Sequence, residues 1–163
     1  MRNNDILRRL RYVFDFSDSK MITLFKEGGQ EVVRADISSL LKKDDDSDFV
    51  VCTDLVLATF LNGFINYKRG KKEGVEQVAE AYLPNNLILR KLKIALDYKN
   101  EDLLGILSLS AVSLSKHELS AFFRKKGHKN YRQCKDQVLR KFLMGLQIKF
   151  RGEPTTDTPS VWK

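Results

Sequence analysis

The chain repeats itself in tandem at one ungapped offset of 82 positions. Residues 3–70 and 85–152 share 18 identical pairs, concentrated in the blocks NNDILRRL/NNLILRKL and CTDLVLATFLNG/CKDQVLRKFLMG. That number of identities at one offset is far above chance. Two copies are too few to propagate a solenoid, so the pattern predicts a duplicated supersecondary unit, with the two copies packed about a pseudo-twofold axis.

Apolar residues recur at helical spacing in both copies, which predicts an all-α fold of roughly four helices per copy. In the first copy, Asn4 is positioned to cap the first helix, and Gly28-Gly29 supplies the left-handed conformation that ends the second. The later helices are expected at about 34–43 and 53–67. The second copy repeats the plan at about 87–98, 101–109, 116–125 and 135–150.

Gly63 and Gly145 occupy matched positions inside the longest helix of each copy. Glycine in a helix interior costs about 1 kcal/mol relative to alanine. We therefore expect a close helix crossing at each position, where a β-carbon would not fit.

The segments outside the copies differ in composition. Residues 71–84 form a charged linker, in which we expect a short helix that stops before Pro84. Residues 153–163 contain two prolines, three threonines and one isolated aromatic residue, Trp162, which predicts a disordered tail.

The hydrophobic content of 42% in 163 residues is enough for an ordinary core. No charge-free stretch approaches the roughly 20 apolar residues that a membrane span requires. The segment Met1-Arg2-Asn3-Asn4-Asp5 has no apolar signal core, so we expect a cytoplasmic protein that does not contact a membrane.

Cys52 and Cys134 are matched, and each precedes an apolar helix, where a free cysteine commonly packs as a small hydrophobic side chain. Burial is the preferred interpretation. A metal site is disfavoured because His117 and His128 have no histidine counterparts in the first copy. We predict no metal, no cofactor and no catalytic residue, since no nucleophile–histidine–acid order or phosphate-binding glycine loop occurs.

Three motifs together resemble the YehS-like bacterial proteins, which consist of tandem uncharacterised domains. They are Asn-Asn-x-Ile-Leu-Arg at the start of each copy, Cys-x-Asp…Phe-Leu-x-Gly at its end, and His-Lys-Asn-Tyr-Arg-x-Cys in the second copy. The resemblance covers nearly the whole chain apart from the tail. It implies a bacterial cytoplasmic protein and carries over no catalytic residue.

Charge separates the two copies. Residues 3–70 contain 10 Lys/Arg against 11 Asp/Glu, whereas residues 85–152 contain 15 against 5. The acidic run Asp44-Asp45-Asp46-Ser47-Asp48 stands where the second copy has Lys126-Gly127-His128-Lys129-Asn130. One scaffold has therefore become polarised, and its excess positive charge lies in the second copy.

This polarity predicts that the second copy binds the phosphate backbone of RNA or single-stranded DNA, with Tyr131 and His128 available to stack on bases. The candidate residues are Arg124, Lys125, Lys126, His128, Lys129, Tyr131, Arg132, Lys135, Arg140 and Lys141.

Several alternatives remain open from sequence. The basic run could be a merely solvated face. The acidic and basic halves could mediate self-association or binding of an acidic protein partner, making the chain an interaction module or adaptor. A helix-turn-helix around Gly28-Gly29 is a weaker option, because the second copy has Ser110-Ala111 there.

Overall fold

A computed structural model of the protein describes residues 1–71, 74 and 77–152. Over these residues it is all-α, without a strand, as the sequence predicts. Eight helices follow in order: α1 Asn3–Val13, α2 Asp18–Glu27, α3 Arg34–Leu40, α4 Asp54–Arg69, α5 Asn85–Ala95, α6 Asn100–Leu109, α7 Lys116–Ala121 and α8 Asp136–Arg151. The chain divides into two compact units, the first comprising Met1–Leu83 and the second beginning at Pro84.

The helix boundaries recur at the offset of 82, which confirms the duplication. Helices α1, α2 and α4 begin and end at the positions matched by α5, α6 and α8, and α7 is one residue shorter than α3. The turn after the first helix also recurs, since Asp15 and Asp97 both have left-handed φ angles, of 53° and 56°. The pseudo-twofold packing of the copies stays a prediction.

Both third helices are shorter than predicted, ending at Leu40 instead of 43 and at Ala121 instead of 125. The apolar pattern continues past these ends, but side chains from the first helix take the free carbonyls. In the first unit, Asn4 donates to the Leu40 carbonyl at 2.9 Å and Arg8 to the Lys42 carbonyl at 2.9 Å. Helices of seven and six residues present less than two turns, which weakens the helix-turn-helix interpretation.

The prediction that Asn4 caps α1 is wrong. Helix α1 is capped from position 2, where the backbone N–H of Arg2 donates to the Asp5 carboxylate at 3.0 Å. Asn4 lies inside the helix with 1% of its surface exposed. Its amide is directed at the loop between α3 and α4, as described below.

The predicted close helix crossings are confirmed. A β-carbon at Gly63 would lie 1.7 Å from the Leu24 carbonyl oxygen, and one at Gly145 would lie 2.1 Å from that of Ile106. Gly28 serves the same crossing from the α2 side, with its φ of −86°, whereas the left-handed residue that follows α2 is Gly29 at 94°. The glycine pair therefore has two separate functions.

The linker helix does not form over residues 77–83, which have no helical structure. Asn66 near the end of α4 donates to the Gln77 side chain, and Asp54 at its start accepts from the Leu83 backbone at 2.9 Å. Twelve helical positions span roughly 18 Å, whereas six linker residues would cover roughly 9 Å as a helix and roughly 20 Å extended. The linker must therefore be extended to return along α4.

Two further predictions concern the core and the tail. Cys52 and Cys134 are both free and buried, with exposed fractions of 2% and 0%, which confirms their predicted packing. None of the helices in the described part of the chain is long and apolar enough to cross a membrane. The predicted disordered tail, residues 153–163, lies outside the described residues.

Candidate nucleic-acid interface

The predicted site lies mainly on the segment between α7 and α8, residues 122–135, which we call the basic loop. Asn86 on α5 fixes both of its ends. The Asn86 side-chain amide donates to the Phe122 carbonyl at 2.9 Å and to the Arg132 carbonyl at 2.8 Å, and its oxygen accepts from the Cys134 backbone N–H at 2.9 Å. A buried side chain thus satisfies three backbone groups and sets the loop geometry.

The first unit holds its corresponding segment, residues 40–53, in the same way. We call this segment the acidic loop. Asn4 donates to the carbonyls of Leu40 and Val50, both at 2.9 Å, and accepts from the Cys52 backbone N–H at 3.0 Å. The matched Asn–Cys positions in the sequence are therefore the two ends of one clamp.

The structure exposes most of the predicted binding residues. Seven of them have exposed side chains: Arg124, Lys125, Lys126, His128, Lys129, Arg132 and Lys135. Within the described residues, none of the ten candidates forms an ion pair with a carboxylate. In the acidic loop, by contrast, Asp44 pairs with Arg2 at 3.4 Å. Within the part of the chain that the structure describes, the two loops therefore differ in ion pairing as well as in charge.

His128 and Tyr131 are positioned differently. The Nδ1 atom of His128 accepts a hydrogen bond from the Asn130 backbone N–H at 3.0 Å, as the Asp46 carboxylate does from Asp48 at 2.8 Å. His128 thus replaces an aspartate in the same turn, and this bond fixes the orientation of its ring. Tyr131 is half-buried at the end of the turn.

Arg140 and Lys141 lie on α8 beyond the loop and are half-buried. Arg140 donates to the Gln137 side chain at 3.1 Å. The backbone carbonyl of Lys141 accepts from the Ser110 hydroxyl at 2.7 Å, which ties α6 to α8. These two residues are therefore less available than the residues of the loop, and their part in binding stays a prediction.

The sequence pattern did not single out a group of lysines packed on aromatic rings in the second unit. The Lys93 ammonium lies 4.6 Å from the centre of the Phe123 ring, and Lys149 lies 5.0 Å from that of Tyr98 and 5.8 Å from that of Phe150. These residues come from α5, the turn after it, the basic loop and α8. The available signal was the excess of basic residues in the second copy, which does not show how they pair with aromatic rings.

Three further reactive groups, two thiols and one carboxyl group, have shifted pKa values. Burial, with a smaller contribution from the charges of Asp54 and Asp136, raises the pKa of Cys52 and of Cys134 to about 12. The hydrogen bond from Asn85, at 2.7 Å, lowers the pKa of Asp136. Over the described ranges, no three histidine, cysteine or acidic side chains are grouped so that they could hold a metal ion.

Comparison with known proteins identifies relatives of the chain. The family model described as "Protein of unknown function (DUF1456)" matches residues 3–70 and again residues 85–152. The chain is 40% identical to the "Uncharacterized protein YehS" of Escherichia coli strain K12 over 147 residues, which cover 90% of this chain and 94% of the relative. No solved structure matches it.

Proposed function

The chain belongs to the DUF1456 family of proteins of unknown function, and we propose that its second unit binds the phosphate backbone of RNA or single-stranded DNA without catalysing a reaction. One observation carries the proposal: the basic loop presents six exposed Lys and Arg side chains, and none pairs with a carboxylate within the described residues. The proposed location is the bacterial cytoplasm, as the YehS-like resemblance implies.

The clamp supports this proposal because it fixes the loop before any ligand arrives. Asn86 holds Phe122, Arg132 and Cys134 from one point, so the intervening basic residues project from a closed loop. A loop that is already ordered loses less conformational entropy on binding than a flexible one. Phosphates that replace the loop's counterions would also make binding strongly salt-dependent.

The non-enzymatic part of the proposal rests on the state of the best candidate nucleophiles and acids. A thiol with a pKa of about 12 is almost entirely protonated at neutral pH, and the thiolate is the reactive form. Asp136 is also unsuited to donate a proton at neutral pH, because the hydrogen bond from Asn85 lowers the pKa of its carboxyl group below the already acidic ordinary value.

The test replaces Lys125, Lys126, Lys129 and Arg132 together with alanine and measures binding of labelled RNA and single-stranded DNA by fluorescence anisotropy. Affinity should fall for all sequences alike, because phosphate contacts do not read bases. The slope of log affinity against log salt should become shallower by about 3, the value for four lost contacts to a single strand.

A matched control removes three lysines and one arginine from exposed positions of the first unit: Lys26, Arg34, Lys43 and Lys68. This variant has the same change in net charge and should keep most of the affinity. Equal losses in the two variants would mean that net charge alone drives association. A folded wild-type protein that binds nothing in a mixed RNA and DNA pool at low salt would end the proposal.

One observation favours a second candidate, the docking of a protein partner. Val50, Val51 and Leu55 have exposed fractions of 50%, 55% and 49% and lie two to seven positions after Asp48, the last residue of the acidic run. Their counterparts in the second unit are Arg132, Gln133 and Gln137. Exposed apolar residues beside negative charge suit a basic protein segment. Nuclease-resistant capture of one protein from lysate, lost in Val51→Gln/Leu55→Gln, would support this candidate.

A further inference from the structure

We propose that a single strand bound at the basic loop continues over a cation–aromatic track on the second unit, where unpaired bases stack. The track consists of Phe123, Lys93, Tyr98, Lys149 and Phe150. This inference rests on the proposed function and makes it more specific, because it selects single strands over duplexes.

Three steps of the track are contacts between a lysine and a ring, and a backbone hydrogen bond joins Lys93 to Tyr98. Phe123 belongs to the basic loop and precedes Arg124, and the Lys93 ammonium lies 4.6 Å from the centre of its ring. The Lys93 carbonyl accepts from the Tyr98 backbone N–H at 2.9 Å. Lys149 lies 5.0 Å from the Tyr98 ring centre and 5.8 Å from that of Phe150. Basic and aromatic groups therefore alternate from the loop to the end of α8.

The first unit shows what a neutralised version of this surface looks like. There Arg11, the counterpart of Lys93, faces the carboxylate of Asp18 at 3.7 Å. In the second unit Asn100 replaces that aspartate, and Lys93 donates to its amide oxygen at 2.7 Å. The geometry is retained while the negative partner is lost, so Lys93 keeps its full charge for an external anion.

The aromatic rings at matched positions of the two units also have different surroundings. In the first unit the counterpart of Tyr98 is Phe16, whose ring packs 5.6 Å from Phe14 and 5.7 Å from Phe64. In the second unit leucines occupy the positions of both partner rings, and Tyr98 packs against Lys149. Phe150 is 45% exposed. An aromatic ring beside a cation suits an unpaired base with its phosphate, whereas bases in a duplex are already stacked.

Two acidic residues lie close in sequence to Tyr98, the middle residue of the track. Asp97 precedes Tyr98 and is exposed, and Glu101 faces Lys116 at 4.0 Å. These carboxylates flank the turn after α5. A strand would therefore approach Tyr98 from the side of Lys149, which lies on its ring.

The test compares Tyr98→Leu/Phe150→Ala with wild-type protein on a 20-nucleotide oligothymidine and on a duplex of the same length. Single-strand affinity should fall by about tenfold or more, the change expected when a stacked base loses its ring, while duplex affinity should not change. The matched control is Tyr67→Ala, which removes the exposed tyrosine under Lys20 in the first unit and should leave single-strand affinity unchanged. Thermal unfolding checks that each variant is folded.

A spectroscopic variant tests stacking without removing a ring. Trp162 is the only tryptophan, so Tyr98→Trp in a Trp162→Phe background reports on position 98 alone. Oligothymidine should quench its fluorescence in parallel with binding. Bound strand without quenching, unchanged affinity in the folded double variant, or equal duplex affinity in wild type would overturn the track. If the track were overturned in this way and the quadruple alanine variant of the basic loop still lost affinity, the proposed function would remain supported. If the wild-type protein bound no nucleic acid, both the proposed function and the track would be wrong.

Discussion

The acidic loop of the first unit and the basic loop of the second are held by the same three hydrogen bonds and carry opposite charge. Asn4 and Asn86 make these bonds to matched backbone groups, with lengths that agree within 0.1 Å. Even the turn that contains Asp46 in one loop and His128 in the other keeps its side-chain acceptor. A few buried polar groups therefore determine the loop backbone, which leaves the exposed positions free to diverge.

The crossing of α2 with α4 and that of α6 with α8 differ, by contrast, at a buried position. In the first unit, a β-carbon at Gly28 would lie 2.1 Å from the Thr59 carbonyl oxygen. Its counterpart Ser110 has a β-carbon, and its hydroxyl donates to the carbonyl of Lys141, the residue matched to Thr59, at 2.7 Å. Both crossings are close at the glycine of the longest helix, but at this second position the first unit relies on close approach and the second on a hydrogen bond.

The largest expected effect comes from exchanging the residues at these two matched positions. Gly28→Ser installs the residue of the second unit, but a backbone oxygen at 2.1 Å leaves no room for it, so the free energy of unfolding should fall by about 3 kcal/mol. The reverse exchange, Ser110→Gly, loses one hydrogen bond and should cost about 1 kcal/mol. Urea unfolding followed by circular dichroism measures both, and equal costs would contradict the distinction between the two crossings.

A second pair of variants sharpens the similarity of the loops. Asn4→Ala and Asn86→Ala each leave two carbonyls and one buried N–H without their partner, so each should cost about 2 kcal/mol. Only Asn86→Ala should also weaken nucleic-acid binding, because it releases the basic loop. Circular dichroism and anisotropy provide the two measurements. Unequal stability losses would mean that the clamps are not equivalent.

An exchange of loop residues tests whether surface charge alone accounts for the expected difference in nucleic-acid affinity between the two units. In a protein whose basic loop carries the four alanines, the acidic loop receives the second unit's residues: Asp44→Lys, Asp45→Gly, Asp46→His, Ser47→Lys and Asp48→Asn. Affinity for single strands should rise by about tenfold, because the same clamp now presents positive charge. Anisotropy measures the gain. A folded exchange variant without any gain would show that the scaffold around the loop also matters.

The last comparison concerns the thiols, whose ionisation does not affect stability at neutral pH and which should behave alike in the two units. Burial raises the pKa of each thiol from an ordinary value of 9.0 to about 12. The folded state therefore retains these protons longer than the unfolded state. Their contribution to stability should be full below pH 9 and decline as the pH rises toward 12. Cys52→Ala/Cys134→Ala should lack this decline, and native wild type should react slowly with a bulky thiol reagent.

Rapid labelling of both thiols in the native protein would contradict their burial. Labelling in urea serves as the control, since unfolding exposes two ordinary thiols. If one cysteine reacted quickly and the other did not, the difference would locate a local opening in a single unit, which the matched burial of Cys52 and Cys134 does not predict.

The sequence predicted the features that depend on local pattern. Repeated apolar spacing gave the duplicated all-α fold, and Gly63 and Gly145 marked the close crossings. The end of α3 was not predictable in this way, since it depends on Asn4, 36 positions before Leu40. The helix predicted in the linker was wrong for a similar reason. The linker must reach from near the end of α4 back to its start, and only an extended chain of this length covers that distance.

The candidate site was likewise predictable only in part. The charge of the basic loop is visible as a run of letters, whereas the contact between Lys93 and Phe123 joins an α5 residue to one 30 positions later. Charge and composition are local properties, but the pairing of lysines with rings depends on tertiary packing. Sequence therefore indicated the loop and missed the track.

The extended linker has a consequence for dissecting the molecule. The repeat ends at Gly70, yet Leu83 is 5% exposed and its backbone N–H reaches Asp54 at the start of α4. A fragment that stopped at residue 70 would leave Asn66 and Asp54 without these linker partners and uncover part of the interior. A fragment of the first unit that keeps these contacts must extend to position 83, so the two units should be separated between Leu83 and Pro84, thirteen residues beyond the end of the duplication.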